Sequence, residues 1–231
     1  MRNELEKMLA QGDFPIEQRA LDDLCQYYEV LVLWNKKTNL TALTSPQDYV
    51  YKHIYDSLYA ARFFDTFSSL VDVGSGAGFP GLPLKLVYPS IKLYLMEAAG
   101  KKIRFLEHCC RELDVEAKIL HSRAEEVGRG PLREQFDVAT TRAVAALTVI
   151  SEYCLPLLRQ GGLFIALKGP DGGKEGLAAQ QAVKLLGGEI QDIHRYSLPT
   201  GEGRSIVVVE KLRSTPEKFP RRPGIPTKRP L

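Results

Sequence analysis

Apolar residues recur at helical spacing through the first part of the chain. Ile16, Ala20, Leu24, Tyr28 and Leu31 mark one face of a helix predicted from Pro15 to about Asn35. Pro15 suits its first turn, where a missing N–H has no intrahelical partner to lose. Ser45-Pro46 is a second helix start, a capping serine followed by proline at the first helical position. Val50, Ile54, Leu58 and Ala61 continue at the same period. Residues 1–66 are therefore predicted to be helical, with no internal repeat.

At residue 70 the period changes. Short apolar runs at Leu70–Val73, Ile91–Met96, Ala117–Leu120, Phe136–Ala139 and Leu163–Leu167 read as strands. Helices are expected from about Pro80, from Lys101 to Leu113, from Ala145 to Leu158 and from Leu177 to Leu186. This alternation predicts an α/β fold with a doubly wound, mostly parallel sheet. Two further strands, Glu189–Tyr196 and Ser205–Glu210, flank the turn Pro199-Thr-Gly-Glu-Gly203 and should close the sheet as an antiparallel hairpin.

The chain has 231 residues, enough to fold to roughly 10,500 Å² of accessible surface and to bury about 70% of its unfolded area. No apolar run approaches the ~20 residues of a membrane span, and the charged start Met1-Arg-Asn-Glu lacks a signal-peptide core. The four cysteines include no CxxC pair and the four histidines are scattered. A reducing, cytoplasmic setting is expected, without membrane or metal. The net charge of +3 is uneven. Residues 213–231 carry six basic side chains against one acid, with five of the fourteen prolines, so the preceding body has a net charge of −2. That stiff cationic segment fits phosphate contact. Its deletion is expected to impair work on RNA while sparing a small ligand.

Candidate chemistry centres on Asp72-Val-Gly74-Ser-Gly76-Ala-Gly78-Phe79-Pro-Gly81, between a strand and a helix. Gly76, Gly78 and Gly81 satisfy the dinucleotide fingerprint G-x-G-x-x-G, while the segment read from Gly74 has the shape of an S-adenosylmethionine loop. The pattern alone does not choose between them. Glu97, closing the second strand, could accept both hydroxyls of a ribose in either case. Ala124 and Glu125 follow the third strand, where an adenine edge could bind; first-turn acids favoured by a helix dipole are the plainer reading. Arg142, after strand four, could hold a cofactor carboxylate, a phosphate or a base edge. Lys168 puts a cation on the same rim.

For methyl transfer, the acceptor atom is narrowed by exclusion. Thr140-Thr-Arg-Ala replaces the N-P-P-aromatic segment that accompanies methylation of exocyclic amines, and no cysteine is placed for attack on a pyrimidine. Only Lys168 offers itself as a base. An acceptor with a lone pair, such as guanine N7, needs none. The competing classes are an RNA-binding module with a vestigial loop and an NAD-dependent oxidoreductase.

The whole chain resembles the bacterial small-subunit rRNA guanine-N7 methyltransferases, the rRNA methyltransferase G family also called glucose-inhibited division protein B. The resemblance rests on Leu33-Trp-Asn35-Lys-Lys-Thr-Asn39-Leu-Thr41, His53-Ile-Tyr-Asp56-Ser-Leu, the Asp72–Gly81 loop, and Phe219-Pro-Arg-Arg-Pro-Gly-Ile-Pro-Thr-Lys-Arg-Pro-Leu231. It implies a Rossmann-like class I methyltransferase core at 67–212, behind a helical extension at 1–66 and before a basic, Pro-rich tail at 213–231 that packs on the core or on RNA. It implies S-adenosyl-L-methionine as donor, and as substrate one guanine in the decoding-region loop of 16S rRNA, free or in the 30S subunit, with the enzyme acting as a monomer. It assigns Asp72, Gly74, Gly76, Phe79, Glu97, Ala124, Glu125 and Arg142 to the cofactor. Asn35, His53, Lys168, Arg204, Arg221, Arg222 and Lys228 fall to the RNA, with Arg142 and Lys168 the candidates for assisting transfer.

Overall fold

Two helices, α1 (Arg2–Gln11) and α2 (Gln18–Thr38), open the chain in a computed structural model that describes residues 1–15, 17–65 and 68–231. The stripe on α2 is Ala20, Leu21, Leu24, Tyr27 and Leu31. Ile16 lies outside the described residues, and Tyr27 rather than Tyr28 is the fully buried tyrosine. Its hydroxyl donates to the carbonyl of Ala77 in the glycine loop, which ties α2 to that loop. Ser45 caps as expected, its Oγ accepting the N–H of Asp48 at 3.1 Å. From there a π-helical segment, Asp48–Tyr55, runs into α3 (Asp56–Tyr59), so the expected uninterrupted α-helix is not formed. Such widened turns concentrate at functional sites. This one carries Lys52, His53 and, at its end, Asp56.

Among the described residues the seven strands are β1 (Ser69–Val73), β2 (Lys92–Glu97), β3 (Ala117–His121), β4 (Phe136–Arg142), β5 (Leu158–Lys168), β6 (Gly188–Ser197) and β7 (Gly203–Lys211). They form one sheet in the order β3-β2-β1-β4-β5-β7-β6. The first five are parallel; β7 runs antiparallel between β5 and β6, closing the sheet with the predicted hairpin. The order reverses between β1 and β4, where open α/β sheets bind ligands at their carboxyl ends. The intervening helices are α4 (Gly81–Val87), α5 (Gly100–Glu112), α6 (Ala124–Val127), α7 (Leu147–Cys154) and α8 (Gly172–Leu185), with α9 (Ile225–Lys228) in the tail.

Strand alternation divides the core into two. Leu70, Leu95, Ile165 and Ile206 face Leu24, Leu31 and Ile54, so the N-terminal helices share a core with the sheet. Val71, Ala139, Phe164 and Val207 face α7, α8 and Phe219 of the tail. The expected boundary at 66/67 lies outside the described residues. The accessible surface, 10,542 Å², is close to the area-scaling expectation.

Two helix bounds differ from expectation for identifiable reasons. Pro156, which cannot donate to the preceding turn, follows the end of α7 at Cys154 and releases the chain into an early β5. Helix α8 begins at Gly172 because its glycines serve close packing rather than a turn: a Cβ at Gly172 would stand 2.0 Å from Ser205 Oγ on β7.

The tail is folded onto the α7 side of the sheet. Phe219 is buried, and Arg221 donates through its backbone N–H, Nε and Nη2 to Glu152, which is fully buried on α7. Arg133 donates to the carbonyls of Thr215 and Phe219, and Arg129 to that of Pro220. The tail, expected to pack on the core or on RNA, makes these contacts with the core. One of its six cations neutralises a core carboxylate.

Candidate functional site

The glycine loop is bracketed by the carboxyl end of β2. The N–H groups of Gly74 and Ser75 both donate to the carbonyl of Met96, at 2.8 and 3.0 Å. Gly76 N–H donates to Oε2 of Glu97 at 3.1 Å, and Oε1 of Glu97 accepts from Ala98 and Ala99, each at 2.9 Å. Lys102 Nζ lies 3.5 Å from the same carboxylate. Gly74 has φ +75°, and a Cβ there would be 2.8 Å from Val144 Cγ2, so this position needs glycine for both backbone and space. Asp72 is a correction: it is fully buried beneath the loop and lines neither cavity described below. Its Oδ2 accepts from Gly81 N–H at 3.1 Å while Oδ1 has no partner. Burial pushes its carboxyl up to about 7, against the opposing pull of the Gly81 amide and Arg142.

Two adjoining cavities open at the switch point. They share Gly74, Lys102 and the segment Ala143–Ala145. The smaller, about 370 Å³, brings together Glu97, Ala124 and Glu125 with apolar wall residues Val73, Met96 and Val144. Tyr153 and Thr227 complete it, and nothing in the sequence singles these two out. Glu125 is almost fully buried, and its Oε1 accepts the N–H of Gly224 at 3.0 Å.

The larger cavity, about 650 Å³, is lined by Gly76, Phe79, Lys52, His53, Asp56, Arg142, Lys168, Glu175 and Arg204 among others. Arg142 Nη1 donates to the carbonyl of Lys52 (2.7 Å) and to Asp56 Oδ2 (3.2 Å), and Nη2 lies 2.8 Å from His53 Nδ1. A guanidinium only donates, so Nδ1 accepts and the proton of the neutral ring sits on Nε2, 3.1 Å from the carbonyl of Leu43. Burial and the neighbouring Arg142 hold His53 down to about 3. Phe79 stacks on His53 with centroids 4.2 Å apart and lies 4.9 Å from the Arg142 guanidinium carbon.

Asp56 is the hub that the sequence undervalued. Its Oδ1 accepts from Tyr196 at 2.7 Å and lies 3.5 Å from Arg204 Nε, while Oδ2 faces Arg142. Lys168 is pinned, donating to the carbonyl of Ala145 at 2.6 Å and to Glu175 Oε2 at 2.8 Å. The same Glu175 oxygen accepts the Leu147 N–H at the start of α7. Lys168 thus positions the wall between the cavities.

The residues expected to meet RNA scatter. Arg204 and Lys168 reach the larger cavity. His53 lines it too, as a buried neutral ring with both nitrogens engaged in hydrogen bonds. Asn35 lines neither cavity: its side-chain amide bonds both the N–H and the carbonyl of Thr41, bracing the loop that carries Leu40, Thr41 and Leu43 into the larger cavity. Arg221 is turned to Glu152, at 2.6 Å. Arg222 and Lys228 are exposed.

Residues 20–204 match the family model described as rRNA small subunit methyltransferase G. The chain is 44% identical over 230 residues to the ribosomal RNA small subunit methyltransferase G of Staphylococcus epidermidis, covering 98% of this chain and 96% of the relative. It is 42% identical over 231 residues to the protein of the same name from Staphylococcus aureus, covering 98% and 97%. Among solved structures the fold is shared with P. horikoshii TYW2 in complex with MeSAdo, at TM-score 0.58 and 15% identity over 74% of this chain and 64% of that one. M. jannaschii TYW2 in complex with AdoMet gives 0.55 and 13% identity over 69% and 76%.

Proposed function

Because this chain belongs to the rRNA small subunit methyltransferase G family, we infer that its two adjoining cavities hold S-adenosyl-L-methionine and one base of small-subunit rRNA. The activity is S-adenosylmethionine-dependent methylation of rRNA. The finer reading is transfer to N7 of a guanine in the decoding-region loop of 16S rRNA, by a monomeric cytoplasmic enzyme. No helix among the described residues is long and apolar enough to cross a membrane.

The smaller cavity fits the donor. Glu97 offers a carboxylate for vicinal hydroxyls beside apolar walls suited to a purine, and Gly76 φ +59° leaves open backbone toward the larger cavity. Gly74, Ala124, Glu125, Phe79 and Arg142 are proposed to complete the donor's surroundings across both cavities. When bound, the donor supplies an electrophilic methyl group on a sulfonium. The chain's own residues orient and exclude: Val144 over Gly74, with Lys168 holding Ala145, fixes the partition through which the two ligands meet.

One observation carries the choice of acceptor atom. Each candidate base in the larger cavity is already committed: Lys168 to two acceptors, His53 Nδ1 to Arg142, Asp56 to three donors, Glu175 to Lys168 and Leu147. Cys109 and Cys154 are buried and line neither cavity. A site whose lysine, histidine and carboxylates are already paired or hydrogen-bonded suits an atom that presents a lone pair, as guanine N7 does. Arg142, Arg204 and Lys52 supply the positive rim that an RNA nucleotide needs. The test is incorporation of labelled methyl from the donor into free 16S rRNA and into 30S subunits lacking the modification. Label in either supports the activity, and the preferred form identifies the substrate; no label in both refutes it.

A further inference from the structure

Lys228 was expected to meet RNA, yet the segment Gly224–Lys228 that carries it places Thr227 on the smaller cavity. Thr227 lines that cavity beside Tyr153, with their hydroxyl oxygens 2.9 Å apart. Gly224 is fixed from the far side, since its N–H satisfies an oxygen of the almost fully buried Glu125. Upstream, the fork of Arg221 grips Glu152, which sits on α7 next to Tyr153. These contacts hold a short piece of chain against the cavity that Glu97 also lines.

We propose that Gly224–Lys228 is a wall of the donor pocket, with Thr227 and Tyr153 presenting their hydroxyls to the nucleoside end of S-adenosylmethionine, and with Arg221 as the positioning residue that holds this wall. The proposal rests on the reading of the smaller cavity as the donor pocket. It reverses the expectation that losing the tail spares a small ligand. Thr227 is exposed, so it can be changed without disturbing the core, whereas Arg221 acts through the segment it anchors.

Calorimetry with S-adenosylmethionine on the full-length protein tests this, with thermal melting of each variant in parallel. Thr227→Trp, which fills the cavity from its rim, is expected to raise the donor Kd about tenfold or more at unchanged melting temperature. Arg221→Ala is expected to raise it by a similar factor, and Arg221→Lys, keeping charge without the fork, to recover part of the loss. In steady state the donor KM should rise while kcat at saturating donor stays within about twofold, the split expected of lost binding alone. Donor affinity within about twofold of the parent in Thr227→Trp overturns the wall, since tenfold is only about 1.4 kcal/mol and readily measured. A parent protein that binds no S-adenosylmethionine refutes the underlying reading of the cavity instead, and the wall with it.

Discussion

Asp56 and Arg142 meet at 3.2 Å on the larger cavity, joining the end of the π-helical segment to the end of β4. The carboxylate side chain is only 5% exposed, so its worth lies in being paired. Asp56→Ala leaves two guanidiniums and the Tyr196 hydroxyl without their common acceptor. It should lower stability by about 3 kcal/mol and rRNA methylation by at least about a hundredfold in kcat/KM. Tyr196→Phe removes one bond and should cost about 1 kcal/mol. Urea unfolding and single-turnover methylation check both.

Glu97 accepts three backbone N–H groups, from Gly76, Ala98 and Ala99, and lines the smaller cavity. Glu97→Ala removes both the bracket of the loop and the proposed acceptor for a ribose. Donor Kd is expected to rise about tenfold or more by calorimetry. Unchanged affinity removes Glu97 from the donor's surroundings.

Asp72 gives a pH signature. Its folded-state value near 7 lies above the ordinary 3.8, so the folded protein binds a proton between those values that the unfolded chain releases. Its stabilising contribution is full below about 3.8 and lost as pH rises through about 7, by up to about 1.4 kcal/mol per pH unit. His53 acts oppositely: held down to about 3 from 6.5, it contributes stability above its unfolded value that is lost as pH falls toward 3. Comparing Asp72→Asn with the parent cancels His53. The variant's relative stability should climb steadily between about pH 4 and 7 in denaturant titrations, and a flat difference contradicts the assignment.

Deleting residues 213–231 strips Glu152 of its only ion-pair partner among the described residues. A fully buried carboxylate without its partner should lower stability by about 3 kcal/mol. The deletion should also weaken donor binding, not RNA binding alone. Thermal melting with and without S-adenosylmethionine separates the two effects.

Lys168→Met tests whether that lysine moves a proton. With its ammonium committed to Ala145 and Glu175, its role is to hold the partition. The variant should lower kcat without moving the pH–rate profile between about pH 6.5 and 8.5, whereas a lost inflection would identify a base.

Much of the scaffold was legible because period and glycine spacing are local signals. The strands, the hairpin and the Gly74–Gly81 loop emerged from alternation and turn chemistry, and Glu97 from its place at a strand end. The features hidden in the sequence are non-local. Asp72 belongs to the loop motif, but only packing shows it facing Gly81 beneath the cavity. Asp56 lay in a recognised motif, yet its three partners come from β4, β6 and β7. Arg221 was read as an RNA contact with no sign of its pairing, because its counter-charge, Glu152, stands 69 residues away. The helix expected from Leu177 starts earlier, and the glycines of that first part of α8 are a contact surface for β6 and β7.

With guanine N7 as the proposed acceptor, methyl transfer requires no proton to be removed from the acceptor atom. The most direct measurement of that claim is the identity of the methylated atom, by nuclease digestion of enzyme-treated 16S rRNA and mass spectrometry against nucleoside standards. The predicted product is 7-methylguanosine at one position in the decoding-region loop, formed by the parent protein and depleted with Asp56→Ala. A methyl group on an exocyclic amine, a pyrimidine carbon or a ribose hydroxyl would contradict it.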